Sequence, residues 1–193
     1  AGTLSGFFAG RIRDMRLYDL ALTAAQVYTV FRRQVDLTGA GTRDYPYKVK
    51  TPDQLILIGS DADLLKRHYV LYYDIAFSPN SNPLHVFSKA VIAPSLSDRD
   101  PAAVFSGTFD GNGHSISNLK ITAGSASGPV GLFGQVAGEQ AEIRNLRLGN
   151  VLIQASGSYP VGGLIGINRQ DRYPAAGGAV TNCQVFGTIT SAS

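Results

Sequence analysis

The sequence predicts an all-β protein, a parallel β-helix of short strands, and three observations carry that expectation. A four-residue block recurs as Ile116-Ser117-Asn118-Leu119, Ile143-Arg144-Asn145-Leu146 and Val180-Thr181-Asn182-Cys183. A second block, Val130-Gly131-Leu132-Phe133-Gly134, is echoed by Gly162-Gly163-Leu164-Ile165-Gly166. The 193 residues also hold 22 glycines and no tryptophan, with Asp110-Gly111 and Asn112-Gly113 as turn dipeptides, which favours a turn-rich β chain. Self-similarity at a few tens of residues is the mark of a solenoid, because each repeat shelters the apolar face of its neighbour.

The offsets set the coil size. Asn118 to Asn145 is 27 residues, Asn145 to Asn182 is 37, and Gly131 to Gly163 is 32. The longer step marks an insertion at 168–178, carrying Asp171, Arg172 and Pro174. Stacked coils are expected to line up Leu119, Leu146 and Cys183 inside as one column, and Leu132 and Leu164 as another. Asn118, Asn145 and Asn182 are expected to form an amide ladder at a turn.

Three regions precede and include these coils. Residues 1–38 read as a strand from Leu4 to Leu22, then a capping box at Thr23-Ala24-Ala25-Gln26 that opens a helix to about Gln34, with Val27, Val30 and Phe31 as its apolar stripe. Residues 39–104 are an entry segment. There Thr51-Pro52-Asp53-Gln54 is a second capping box with proline at the first helical position, and the helix carries Leu55 to Ile58 and stops at Gly59. Tyr69 to Phe77 reads as strand and Ser78 to Asp100 largely as loop. An open coil end exposes apolar core and unpaired backbone, so 51–66 is expected to cap it. Residues 105–193 hold the coils, beginning strand-turn-strand at Phe105–Ile116.

Charge excludes some partners. Residues 1–50 hold eight Lys or Arg against four Asp or Glu, and the remainder nine against ten, so the net charge of +3 is a weak N-terminal bias rather than a basic stripe. Nucleic acid is not an expected partner. The single cysteine rules out an internal disulfide and a cysteine-based zinc site. No apolar run approaches the ~20 residues of a membrane helix, so membrane insertion is not expected. The opening Ala1-Gly2-Thr3, without Met or a signal-peptide pattern, is expected of a processed product or a part of something longer.

No catalytic, cofactor or metal constellation stands out. Asp110 near His114 reads as an acid/base pair or as a turn aspartate, and the intervening Gly-Asn-Gly favours the turn. His68 and His85 lie apart, without metal-ligand spacing. Cys183 has no basic neighbour to activate it and reads as a small buried hydrophobe. Tyr69, Tyr72, Tyr73 and Tyr159, with the insertion at 168–178, could stack on sugars, although tyrosines on strands more often serve packing.

Two resemblances sharpen the reading. Gly10-Arg11-Ile12-Arg13-Asp14-Met15-Arg16-Leu17-Tyr18-Asp19-Leu20-Ala21-Leu22 followed by Thr23-Ala24-Ala25-Gln26-Val27 resembles the C-terminal end of a laminin-G-like, concanavalin-A-like jelly roll, over residues 6–31. That family often uses the acid matching Asp14 for Ca²⁺, but one aspartate cannot supply ~6 oxygen ligands. Phe105-Ser106-Gly107-Thr108-Phe109-Asp110-Gly111-Asn112-Gly113-His114-Ser115-Ile116-Ser117-Asn118-Leu119 is similar to the opening coil of bacterial surface proteins bearing GLUG repeats. Gly131-Leu132-Phe133-Gly134, Gly163-Leu164-Ile165-Gly166, Asn182-Cys183 and Gly187-Thr188-Ile189-Thr190 match the repeat, and 42–77 resembles its capping segment. The resemblance implies a right-handed parallel β-helix, an extracellular or cell-surface setting in long adhesins, and no shared catalytic residues.

The expected function is therefore a non-catalytic structural or adhesive module of a larger surface or matrix protein, binding other such proteins or itself. With Ser193 directly after a coil and no terminal cap, head-to-tail filaments are one form this could take. The alternative is a polysaccharide-binding or polysaccharide-degrading β-helix, which needs two or three carboxylates on neighbouring coils. The acids in 105–193 are only Asp110, Glu139, Glu142 and Asp171.

Overall fold

The computed structural model describes residues 36–94, 104–125, 128–169 and 177–192. The chain divides after Gln34, and every described residue belongs to the second unit. The strand and helix expected within 1–35, the jelly-roll resemblance, Asp14 and most of the 168–178 insertion lie outside the described residues.

Short strands dominate what is described. They are β1 (Tyr47–Val49), β2 (Tyr69–Leu71), β3 (Ile75–Ala76), β4 (Thr108–Asp110), β5 (Ser115–Ser117), β6 (Lys120–Ala123), β7 (Phe133–Val136), β8 (Glu142–Arg144), β9 (Arg147–Ser156), β10 (Ile165–Asn168), β11 (Ala179–Thr181) and β12 (Gln184–Ala192). One α-helix, α1 (Pro52–Ile58), sits between β1 and β2. The strands make three sheets: β1-β2-β4-β8-β11; β3-β5-β9-β12, with β6 also on β9; and β7-β10. Every pairing between named strands is parallel. Isolated parallel bridges extend the third sheet, joining Ile92 to Phe133 and Phe105 to Val136. From β2 onward the chain visits the first, second and third sheets in turn, then repeats. The fold is thus mostly β and its sheets are parallel.

The register explains the core. In the first sheet Tyr47, Tyr69, Phe109, Ile143 and Val180 stand in one row across five strands. In the second, Ile75, Ile116, Leu148 and Val185 form a row, and Ile121, Ile153 and Ile189 another. Successive strand residues face opposite sides, so these rows share the buried side while their neighbours face out. The Phe105 and Phe109 rings pack on Phe133, with centroids 5.0 and 5.6 Å away, and the Tyr69 hydroxyl donates to the Leu64 carbonyl at 2.6 Å. That bond removes the cost of burying a phenol.

The helix starts for the reason its sequence gives. The Thr51 hydroxyl accepts from the Gln54 amide at 3.3 Å, while the Gln54 side-chain oxygen accepts from the Thr51 and Lys50 amides at 3.2 and 2.6 Å. Gln54 then donates to the Asp36 carbonyl at 2.6 Å, tying the helix start to the incoming chain. Leu55, Leu57 and Ile58 are buried, and Gly59 ends the helix against the Val91 carbonyl.

One expected alignment is corrected by the register. Ser117 pairs with Gly149, which puts Asn118 beside Asn150 rather than Asn145, and the Asn150 amide donates to Asn118 at 2.8 Å. Asn182 does lie beside Asn145 and donates to it at 2.9 Å. There are thus two asparagine ladders, not one. The inner column splits likewise: Leu146 neighbours Cys183, whereas Leu119 neighbours Val151, its carbonyl accepting from Leu152. The physical cause lies in the backbone: Asn118, Asn145, Asn150 and Asn182 all have φ of +49 to +60°. Asparagine tolerates that left-handed turn, and the residue after it points inward. The same short phrase therefore serves two different corners. Phe133 pairs with Ile165, so the two Gly-Leu blocks lie side by side. A Cβ on Gly131 would meet the Gly162 carbonyl at 2.9 Å, and one on Gly163 would meet the Val185 side chain at 2.6 Å. Leu132 and Leu164 are buried beside them.

Candidate functional site

The outward face of the first sheet gathers the polar chemistry. Alternation brings Thr108 beside Glu142, and Asp110 beside Arg144. The Arg144 guanidinium donates to Asp110 at 2.9 Å and to Glu142 at 3.1 Å. Asp110 also accepts from the Asn112 amide at 2.8 Å and the Asn145 side chain at 3.1 Å, so it is both a turn aspartate and an ion-pair partner. Arg43, Tyr69, Asp110, Glu142 and Arg144 line a shallow depression of about 100 Å³.

Electrostatics decide what this cluster can do. Partial burial works to raise the Asp110 carboxyl, but the Asn112 amide, Asn145 and Arg144 outweigh it and hold the group below the usual carboxylate range. Its hydrogen bond to Asp110 raises Arg144 in return. A carboxyl-pair mechanism needs one acid that keeps its proton near neutral pH. Asp110 is shifted the other way and shares one arginine with Glu142. The geometry suits a structural ion pair spanning two strands.

The histidines do not converge. His114 faces Asp74 at 3.4 Å, not Asp110, and the Ser115 amide is the main group holding the Asp74 carboxyl low. His68 meets the Thr108 hydroxyl at 2.9 Å, and burial, helped by Arg43 and Arg67, pushes it below its ordinary value. His85 accepts the Ser78 amide at 2.9 Å and stacks edge-on to Phe77. Among the described residues no group of three His, Cys, Asp or Glu side chains could hold a metal ion. The half-buried Cys183 packs against the core, and burial raises its thiol, which disfavours the reactive thiolate.

The tyrosines separate into two kinds. Tyr69 is core and Tyr159 is half-buried. Tyr72 and Tyr73 are exposed neighbours, packed edge to face with centroids 5.0 Å apart. The Lys48 and Lys50 ammoniums lie 5.1 and 5.5 Å from the Tyr72 ring centroid. Sequence reasoning missed the lysines, although the alternation in Tyr47-Lys48-Val49-Lys50 already put both on one face.

No protein-family model matches the chain, and no solved structure matches it. A curated relative does: the chain is 34% identical over 156 residues, 80% of its length, to Halomucin from Haloquadratum walsbyi. The matched region spans only 2% of the length of that relative.

The Asp110 network makes a prediction. A carboxyl whose folded pKa is depressed contributes stability that is present above the unfolded value and lost as pH falls through the folded one. Wild-type chain is expected to lose stability as pH drops below about 4. Asp110→Asn should be less stable at neutral pH and lose less on acidification. Denaturation midpoints at several pH values check it; parallel acid profiles for the two proteins would refute it.

Proposed function

We propose that residues 39–192 wind as a right-handed parallel β-helix of the GLUG-repeat type, started by α1 as a cap, and act as a non-catalytic structural or adhesive module of a larger cell-surface or matrix protein. The observation that carries the reading is the register: the chain returns to each sheet in rotation, always parallel, laying Tyr69 over Phe109 over Ile143. Steps of 34 and 37 residues from Phe109 to Ile143 to Val180 fit one coil each. Similarity to a stretch that makes up 2% of Halomucin supports a module within a much longer surface protein.

Self-association is part of the proposal. Among the described residues no strand pairs with the outer side of β12, where Val185 and Ile189 of the inner rows are exposed, and an exposed strand side of this kind pairs readily. A second reading, polysaccharide binding, is favoured by the exposed Tyr72–Tyr73 pair. Antibody labelling of intact cells that produce the parent protein tests the surface reading. Signal without permeabilisation is expected; signal only after permeabilisation would sink it.

A further inference from the structure

We infer that Lys48, Lys50, Tyr72 and Tyr73 form a binding site for an acidic polysaccharide, with one carboxylate or sulfate held between the two ammoniums and the sugar ring laid on Tyr73. The inference rests on the polysaccharide-binding reading above and names its residues and ligand class.

The site is built by register. Tyr47 pairs with Tyr69, Lys48 with Val70 and Val49 with Leu71, and the Tyr72 amide donates to the Val49 carbonyl at 2.8 Å. Lys50 is therefore beside Tyr72, and Lys48 lies two residues back on the same outward face. Both ammoniums sit within the ~6 Å at which a ring face attracts a cation. Tyr72 thus acts as a post that draws two positive charges together. Among the described residues neither lysine has an ion-pair partner, so both ammoniums keep donors and charge for an incoming anion. Asp74, next to Tyr73, is held by the Ser115 amide and faces His114, and Asp53, three residues after Lys50, lies 3.7 Å from His85.

Tyr73 supplies the other half. It is 56% exposed and touches Tyr72 edge to face, which leaves ring surface available for the apolar C–H face of a sugar. The extent of the patch selects the ligand. Along the outward row, Lys48 gives way to Val70 and then to Asp110, already engaged by Arg144. A positive patch this short fits isolated charges spaced along a glycan better than the continuous charge of a nucleic acid backbone.

The test is calorimetric titration of the full chain with oligogalacturonate and heparin oligosaccharides, which separate carboxylate from sulfate, beside neutral dextran and polyglutamate. Binding of at least one acidic oligosaccharide, weakening as salt rises, and none of dextran are expected. Lys48→Ala/Lys50→Ala and, separately, Tyr73→Ala should each weaken binding by at least roughly tenfold, which is about 1.4 kcal/mol. Thr122→Ala, on another sheet, should bind as wild type, and unchanged melting temperatures exclude misfolding. Failure of every acidic oligosaccharide to bind overturns the inference. Binding unmoved by either set of substitutions overturns this site while leaving glycan binding intact. Polyglutamate bound as tightly as the glycans, with Tyr73→Ala silent, reduces the patch to a plain anion site and also overturns it. Surface labelling of cells is independent of all these results.

Discussion

Replacing Phe109 by alanine is expected to cost about 3–5 kcal/mol, the range for removing a buried phenylalanine from a core that cannot collapse around the gap. Phe109 is fully buried, and its strand pairs on both sides, with Tyr69 on one neighbour and Ile143 on the other. Its ring also packs on Phe133, 5.6 Å away, across from the first sheet to the third. Relaxation into the cavity would need three strands to move together, and each is pinned by parallel ladders on a neighbour. The control is Phe186→Ala on β12, where the ring is 56% exposed. An exposed site away from such packing should shift stability by no more than about 0.5 kcal/mol. Urea denaturation of both variants measures the contrast. Equal losses would mean that the Tyr69–Phe109–Ile143 row is not the interior of the fold, and the proposed winding would fall with it.

Local chemistry was legible in the sequence where one short segment contains its own reason. The capping box at Thr51–Gln54 is such a case, because donor and acceptor are three residues apart and need nothing else. The asparagine corners were half legible. Asparagine two residues after an apolar one, followed by Leu or Cys, marks a left-handed turn and then an inward side chain, but it does not say which turn stacks on which. Asn118 and Asn145 look equivalent by eye, yet rung neighbours are fixed by ladder register, a non-local quantity. The spacing carried the missing information: Asn118 to Asn150 is 32 residues, equal to Gly131 to Gly163, whereas 27 is too short for one circuit. The lysines around Tyr72 were invisible for a related reason, since Lys50 and Tyr72 become neighbours only when β1 pairs with β2. The Arg144 bridge could not be anticipated either, because Asp110 and Arg144 are 34 residues apart in the chain.

Gly59→Ala is expected to destabilise the chain by about 1–3 kcal/mol, the cost of forcing atoms into a filled site. Backbone conformation alone predicts the opposite sign. Gly59 has φ −73° and ψ −8°, an ordinary helical geometry. At such a position Gly→Ala usually adds about 0.4–1 kcal/mol by restricting the unfolded chain. Space decides the matter, because an added Cβ would run into the Val91 carbonyl. That carbonyl cannot retreat easily: next to it the Ile92 amide donates to Leu132, and the Ile92 carbonyl accepts from Gly134 at 2.8 Å. Two other glycines separate the causes. Gly124 has open space and no left-handed φ, so its alanine variant should be neutral or slightly stabilised. Gly113 has open space but φ of +79°, so alanine there should lose about 1 kcal/mol from backbone strain alone. The predicted order of stability is Gly124→Ala, then Gly113→Ala, then Gly59→Ala, read from denaturation midpoints at constant slope. A Gly59→Ala protein more stable than wild type would mean that α1 is not seated against the Val91–Ala93 segment, and the cap assigned to it would be withdrawn.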